Sequence, residues 1–398
     1  MSEYPSDWKV MALGEVAEVV GGGTPSRDTP AFWGDDHYWI TPSEVVAIDG
    51  KMASHSKEKI SNLGLASSGA KLHPPGTILM TSRASIGFAA IAVEDICTNQ
   101  GFQSLRCGKA LDNWFALHQI RHRRAELQQL AAGSTFLEVS GSNIRSFPFV
   151  IPPLPEQKKI AEILSGIDKL IIKKEKQICI LENLEKSVLD ALTDQELRAG
   201  TRCAPLSEIV SPGRKITYGI VQAGPNIKDG IPYIRVTDMS DEELDINKML
   251  RTSPEIAEKF KRSEVQEGDI VVALRGIIGA THLIDDRTSG ANLTQGTALL
   301  SKSDKCLPLY VNTILKSQFC REQFSLLSKG STIVEITLSS LATLMIPLPN
   351  ISTQERIANS IASIKRQISS NRKSLASIRS MKNAIASDLL SGRKRVSV

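Results

Sequence analysis

Aromatic residues make up only 5% of this 398-residue chain, so its cores must be built mainly from Leu, Ile, Val and Ala. Its six cysteines (Cys97, Cys107, Cys179, Cys203, Cys306 and Cys320) are scattered, and none forms a Cys-x-x-Cys pair. That argues against a disulfide framework or a zinc site and suits free thiols in a reducing cytoplasm, the expected location. No apolar run approaches the ~18–20 residues that a membrane span needs, so no membrane partner is expected. The opening MSEYPSDWKV lacks the basic and apolar regions of a secretory signal. Charged residues are ordinary at 23%, and little net charge remains. A net +5 permits a nucleic-acid partner without demanding one.

The motifs of common enzymes are missing as well. The nearest approach to a phosphate-cradling loop, Gly64 to Lys71, has Ala70 between its last glycine and the lysine. Gly21-Gly22-Gly23 lacks the spacing of a dinucleotide fingerprint, and no Gly-x-Ser-x-Gly elbow occurs. His118 and His122 lie four apart on an expected helix, without the intervening Glu or third ligand of a metal site. No catalytic residue and no metal is therefore expected. Length alone predicts two domains.

What is present is an internal repeat, each copy about half the chain. Leu13-Gly-Glu-Val-Ala17 recurs as Leu206-Ser-Glu-Ile-Val210, and Trp39-Ile-Thr-Pro-Ser43 as Tyr233-Ile-Arg-Val-Thr237. Gly76 to Arg83 with Ile86-Gly87 matches Gly268 to Arg275 with Ile278-Gly279. Gln100-Gly101 matches Gln295-Gly296, and Gly133-Ser-Thr matches Gly330-Ser-Thr. The numbering offset drifts between 192 and 197, then holds at 197 from Gly133 to the end.

The fixed offset has a visible reason. After the Pro-rich breaks at 151–155 and 346–349, each half enters a long helical pattern. In the first, Ile160, Leu164, Ile167, Ile171, Ile178, Leu181, Val188 and Leu192 form a heptad seam, with Lys174 and Glu185 filling its gaps. In the second, Ile357, Ile361, Ile364, Ile368, Leu375, Ile378, Ile385 and Leu389 form the same seam, with Asn371 and Lys382 in the gaps. Two seams with the same interruptions predict that the helices pair with each other, polar gaps fixing register and partner. Antiparallel pairing over about 35 residues makes a rod ~50 Å long.

The expected fold is thus α/β (α+β): two tandem globular domains of short strands and loops, separated by a long antiparallel two-helix coiled coil, with a pseudo-twofold internal repeat. The boundaries read as 1–154 and 196–351 for the globular halves, 155–195 and 352–392 for the helices, and 393–398 for a basic tail. Within each half a single helix is expected, about 111–131 and 308–327, ending at Gly133 and Gly330.

This arrangement, with a Gln-containing helix start in each half (Pro155-Glu-Gln-Lys-Lys-Ile160; Thr353-Gln-Glu-Arg-Ile357), resembles the specificity subunit of a type I restriction–modification enzyme over essentially the whole chain. The resemblance implies a non-catalytic protein with two target-recognition domains in inverted orientation, each reading half of a bipartite double-stranded DNA sequence. It implies helices that set the spacer and dock two methyltransferase subunits, with translocase/endonuclease (restriction) subunits completing the complex. No cofactor is expected on this chain; S-adenosylmethionine, ATP and magnesium belong to the partners. At ~3.4 Å per base pair the ~50 Å rod corresponds to ~15 base pairs. The alternative is a coiled-coil protein scaffold without sequence-specific DNA binding.

Base reading favours Arg, Asn and Gln, while phosphate contacts favour hydroxyls, cations and backbone amides. Arg83 and Arg275, after matching apolar strands, are candidates for DNA contact or for ion pairs within their own domain. Gln100 and Gln295 are candidates for base contact or for turn stabilisation. Thr24 and Ser26 in the Gly-rich loop, Tyr218 and Gln222 in the second half, and Ser43, Arg235 and Thr237 after the strands complete the exposed polar set. Ser134, Thr135, Ser331 and Thr332 offer donors after the shorter helices. Arg121, Arg123 and Arg124, and Arg393, Lys394 and Arg395, read as a solvated face and a frayed tail, with backbone electrostatics as the sharper alternative.

Overall fold

The computed structural model describes residues 4–131, 137–240, 243–330 and 334–397. It divides into two units, Met1–Glu175 with Ser374–Val398, and Lys176–Lys373. Each unit holds one globular half, part of the first long helix (Leu154–Arg198) and part of the second (Ile351–Leu390).

In the first unit, Lys9–Ala12 pairs antiparallel with Pro148–Ile151 and so joins the two ends of the globular half. A five-stranded sheet runs in the order Ala17–Gly21, Gln103–Cys107, Ile78–Met80, Ala89–Ala92, Met52–Ala53. A second sheet of four short strands centres on Trp33–Ile40, which pairs parallel with Ile96–Thr98. The second unit repeats this plan with fewer strands. Cys203–Pro205 pairs with Met345–Pro347, Ile270–Ala273 lies between Thr297–Leu300 and Thr281–Leu283, and Ile231–Ile234 runs parallel to Asn292–Leu293.

The registers coincide residue by residue. Leu105 faces Ile78 as Leu300 faces Ile270, and Trp39 faces Cys97 as Tyr233 faces Asn292. Every residue of Ile78–Met80 and Ile270–Ala273 is buried, the signature of strands covered on both faces.

The ends of the long helices belong to these cores. Ile160 and Leu164 pack with Leu13, Phe115, Phe149 and Leu389, while Leu189, Ile357 and Ile361 pack with Leu206, Tyr310 and Leu341. Between those ends Ile167, Ile178, Ile368 and Leu375 are buried. Ile171, Leu181, Val188, Leu192, Ile364, Ile378 and Ile385 are half-buried, as two helices alone leave them.

The helices run antiparallel within each unit. Asp168 pairs with Lys382, and Glu175 with Arg379 at 2.7 Å, in the first. Glu182 pairs with Arg372 at 2.7 Å, Glu185 with Lys365 at 3.5 Å and Glu196 with Arg356 at 3.6 Å in the second. Both helices stop two residues before a glycine in left-handed conformation, Gly200 and Gly392, each at φ +73°.

Three local expectations need correction. The single helix expected from 111 to 131 is broken into Asn113–His122 and Arg124–Gln129, because Arg123 leaves helical geometry. Its counterpart is broken into Pro308–Ile314 and Gln318–Leu327, where the Ser317 hydroxyl caps the second piece by accepting from the Cys320 amide. The latter ends on an extended Ser328 and not at Gly330. Gly133 lies outside the described residues.

Candidate nucleic-acid interface

The Gly-rich loop of the first half is pressed against its own domain. A Cβ on Gly22 would lie 2.1 Å from the Asn99 carbonyl oxygen, and one on Gly23 would lie 2.3 Å from the Gly69 carbonyl carbon. Only glycine allows that approach. The Gly23 amide donates to the Thr98 carbonyl at 2.9 Å. The indoles of Trp39 and Trp33 donate to the carbonyls of Gly23 (3.0 Å) and Ser26 (3.1 Å). Held this way, the loop presents Thr24 and Ser26 to solvent, with the Thr24 hydroxyl bonded to the Gln100 side chain.

Arg83 follows the buried strand at a turn that closes on Gly87, whose amide donates to the Thr81 carbonyl at 2.9 Å. Ala84 in this turn takes φ +59°, a left-handed conformation that costs a non-glycine residue about 1 kcal/mol or more. The Arg83 guanidinium donates to Glu138 from Nε (3.0 Å) and Nη2 (2.6 Å), yet remains 44% exposed. A Cβ on Gly101 would lie 3.1 Å from the Pro42 ring and 3.9 Å from the Arg83 Cβ. The structure therefore brings Thr24, Gln100, Arg83 and the exposed Ser43 onto one patch.

The second half rebuilds the patch at equivalent positions. A Cβ on Gly219 would meet the Leu293 carbonyl at 1.9 Å, and the Ile220 amide donates to that carbonyl at 2.7 Å. The Gln295 amide donates to the Ile220 carbonyl at 3.0 Å, so Gln295 lies beside the segment carrying Tyr218 and Gln222, all three exposed. A Cβ on Gly296 would lie 2.9 Å from both Arg275 Nε and a methyl of Val236, which draws Arg275 toward Thr237. Gly276, at φ +69°, occupies the place of the strained Ala84.

Arg235 is turned to local work. It donates from Nε (3.0 Å) and Nη2 (2.6 Å) to Asp238, which also accepts from the Arg235 amide at 2.8 Å. Thr41 and Glu44 close the same turn in the first half, through the Thr41 amide at 2.9 Å. Ser134, Thr135, Ser331 and Thr332 lie outside the described residues.

The basic cluster on the shorter helix is not a solvated face. Arg121 binds Asp49 and Asp168, each at 3.2 Å. Arg124 binds Asp49 at 2.6 Å and stacks over Phe88, and Arg123 binds Glu126 and stacks over Phe147. Nor is the tail frayed at Arg395, which donates to Glu156 and Asp7 and is held well above the usual guanidinium range by those carboxylates. Burial pushes His118 down to about 3, helped by the cations of Lys382 and Arg121. Asp168 lies 3.9 Å from its ring but is already committed to Arg121 and Lys382. Among the described residues no three His, Cys, Asp or Glu side chains gather as metal ligands. The six cysteines are free.

Two features escaped the sequence. Arg27 stacks 3.8 Å above the Trp33 ring and pairs with Glu58, forming an exposed cation–aromatic ledge beside the loop. The signal was the run of tryptophans in one half, which carries no pairing information by itself. The buried Gln157 accepts from the Asp112 amide (2.9 Å) and donates to the carbonyls of Ala110 (2.9 Å) and Pro152 (2.8 Å). Gln354 repeats this with Leu307 and Pro349, both at 2.9 Å.

The model of the type I restriction modification DNA specificity domain matches residues 5–182 and 214–380. The chain belongs to this family. Across the specificity-domain family, the chain is similar to the specificity subunit of the type I restriction enzyme MjaIX of Methanocaldococcus jannaschii, 31% identical over 262 residues. That alignment spans 59% of this chain and 59% of the relative, so it covers less than two thirds of the relative's length. The MjaVIII specificity subunit of the same organism is 23% identical over 98% of this chain and 94% of its own. In fold, the chain resembles the type I restriction–modification S subunit from M. genitalium, with a TM-score of 0.59, 14% identity and 96% of each chain covered.

Proposed function

We propose that this chain is the DNA sequence-specificity subunit of a type I restriction–modification complex and performs no chemistry itself. Each globular half reads one half of a bipartite target. The long helices set the unread spacer and dock two methyltransferase subunits, which restriction/translocase subunits join. The observation that carries this reading is the duplicated patch. A loop packed on glycines, an exposed glutamine and an arginine at a left-handed turn recur in both halves at matching positions. Amide and guanidinium side chains supply the paired donors and acceptors that discriminate base edges. Thr24, Ser26, Ser43, Tyr218, Gln222 and Thr237 supply hydroxyl and amide donors for phosphate or base. Arg83 has to share its guanidinium with Glu138, so its DNA contact uses the face that the carboxylate leaves open. Arg235 contributes by fixing its turn.

The test is DNA binding with the methyltransferase subunits present. Binding that weakens steeply with salt and prefers a two-part site with an arbitrary centre supports the proposal. Salt-independent association with DNA, alongside intact binding to the partner subunits, would favour a protein scaffold instead.

A further inference from the structure

Aligning the two long helices by their 197-residue offset exposes a charge opposition. Asp168, Glu175, Glu182 and Glu185 on the first helix stand at the positions of Lys365, Arg372, Arg379 and Lys382 on the second. The ion pairs connect these sets crosswise, Asp168 to Lys382, Glu175 to Arg379, Glu182 to Arg372 and Glu185 to Lys365. The acid always belongs to the first helix and the base to the second. The apolar seams are nearly interchangeable, Ile160, Leu164, Ile167 and Ile171 matching Ile357, Ile361, Ile364 and Ile368. Hydrophobic contact alone therefore distinguishes poorly between unlike and like pairing.

We propose that these four acid–base pairs make the helices mutually selective. The first helix accepts a helix with the second's basic pattern and rejects a copy of itself. Two copies of the chain can then associate through these helices only by reciprocal exchange, first helix of one with second helix of the other.

The repeat makes the rejected states explicit. Two first helices in the same antiparallel register set Asp168 against Glu185 and Glu175 against Glu182, each contact twice. Two second helices set Lys365 against Lys382 and Arg372 against Arg379. The outer pair, Glu196 with Arg356, discriminates on one side only: like pairing sets Glu196 against Lys159, which attracts, and Arg356 against Arg393, which repels. Selectivity thus rests on the central four pairs. Opposed charges within and beside the seam set partner choice in coiled coils, and rejection of wrong partners matters as much as attraction to right ones. The selectivity holds whether or not the chain binds DNA.

The test uses full-length chains. Asp168 and Lys382 stay native, because Asp168 also holds Arg121. One variant carries Glu175→Arg, Glu182→Arg and Glu185→Lys; a second carries Lys365→Glu, Arg372→Glu and Arg379→Glu; a third carries all six. Each triple variant should melt below the parent at ~0.01 M salt and recover most of the loss at ~1 M, where the Debye length falls from ~30 Å to ~3 Å. The sixfold variant should regain the parental midpoint. Native mass spectrometry of the two triple variants refolded together should show a mixed 1:1 dimer in about tenfold excess over either like dimer. A triple variant that fails to fold alone but is recovered by co-refolding with the other gives the same support. Triple variants as stable as the parent at low salt, or a sixfold variant no better than either triple, would overturn the proposal. So would mixed dimers no more abundant than like ones.

Discussion

Replacing Gln157 with Met should destabilise the first unit by about 2–4 kcal/mol. The residue is fully buried, and its amide makes three hydrogen bonds to backbone groups of Asp112, Ala110 and Pro152. Met preserves the volume and removes all three partners. The Pro152 carbonyl is buried, and a buried group left unsatisfied costs about 1–3 kcal/mol, whereas the half-buried Asp112 amide and the carbonyl of the exposed Ala110 can turn to water and together add about 1 kcal/mol. The consequence reaches beyond stability, because these bonds tie the start of the long helix to the domain it leaves. Urea unfolding followed by tryptophan fluorescence isolates the effect. Trp8, Trp33, Trp39 and Trp114 all lie in the first unit. The transition should move to lower urea with an unchanged slope. Gln354→Met, in the second unit, should leave the fluorescence transition in place and lower the transition seen by circular dichroism. A shift of the Gln157→Met midpoint equivalent to less than ~1 kcal/mol would refute the clamp.

Three further outcomes are expected. Inserting seven residues into each long helix at the centre of the pairing, after Ile178 and after Leu375, should lengthen the unread spacer by about three base pairs, since seven helical residues span ~10.5 Å; methylated-site mapping reads the spacing, and both half-sequences should stay unchanged. Ala84→Gly should stabilise the protein by about 0.5–1 kcal/mol by relieving the left-handed turn, while Gly276→Ala should destabilise it by at least as much, both measured by thermal melting. Stability of the first unit should fall from pH 6.5 to about 4, and through His118 on to about 3. His118 is pushed down to about 3 and His73 to about 4, chiefly by burial, so unfolded histidine binds protons there that the folded forms refuse. The stabilising preference for neutral histidine is intact above pH 6.5 and is lost as pH falls, by at most ~1.4 kcal/mol per pH unit and group. Replacing both with Gln should flatten that slope.

The repeat, the two long helices and the seam were legible because helical periodicity and a fixed offset are written directly into sequence. The candidate patch was legible in outline for a similar reason. Gln100 and Gln295 recur before glycines that pack closely, and Arg83 and Arg275 recur at the ends of matching apolar strands. The partners of those residues were not legible. Glu138 lies 55 residues from Arg83, and a local reading of sequence carries no term for a contact that only the fold creates. Arg121 and Arg124 illustrate the same limit. They read as a basic surface cluster, and Asp49, more than 70 residues away, turns them inward. The shorter helices read as single because their apolar spacing continues across Arg123 and Ser317; the Ser317 cap outweighs it in the second half, and Arg123 leaves helical geometry in the first.

The central claim is sequence-specific recognition of split DNA, and the most direct measurement maps adenine methylation across host DNA with and without this gene product. One bipartite motif, two defined half-sequences around a gap of fixed length, should be methylated only when the chain is present. An unchanged methylation map after its removal, with the methyltransferase subunits still expressed, would contradict it.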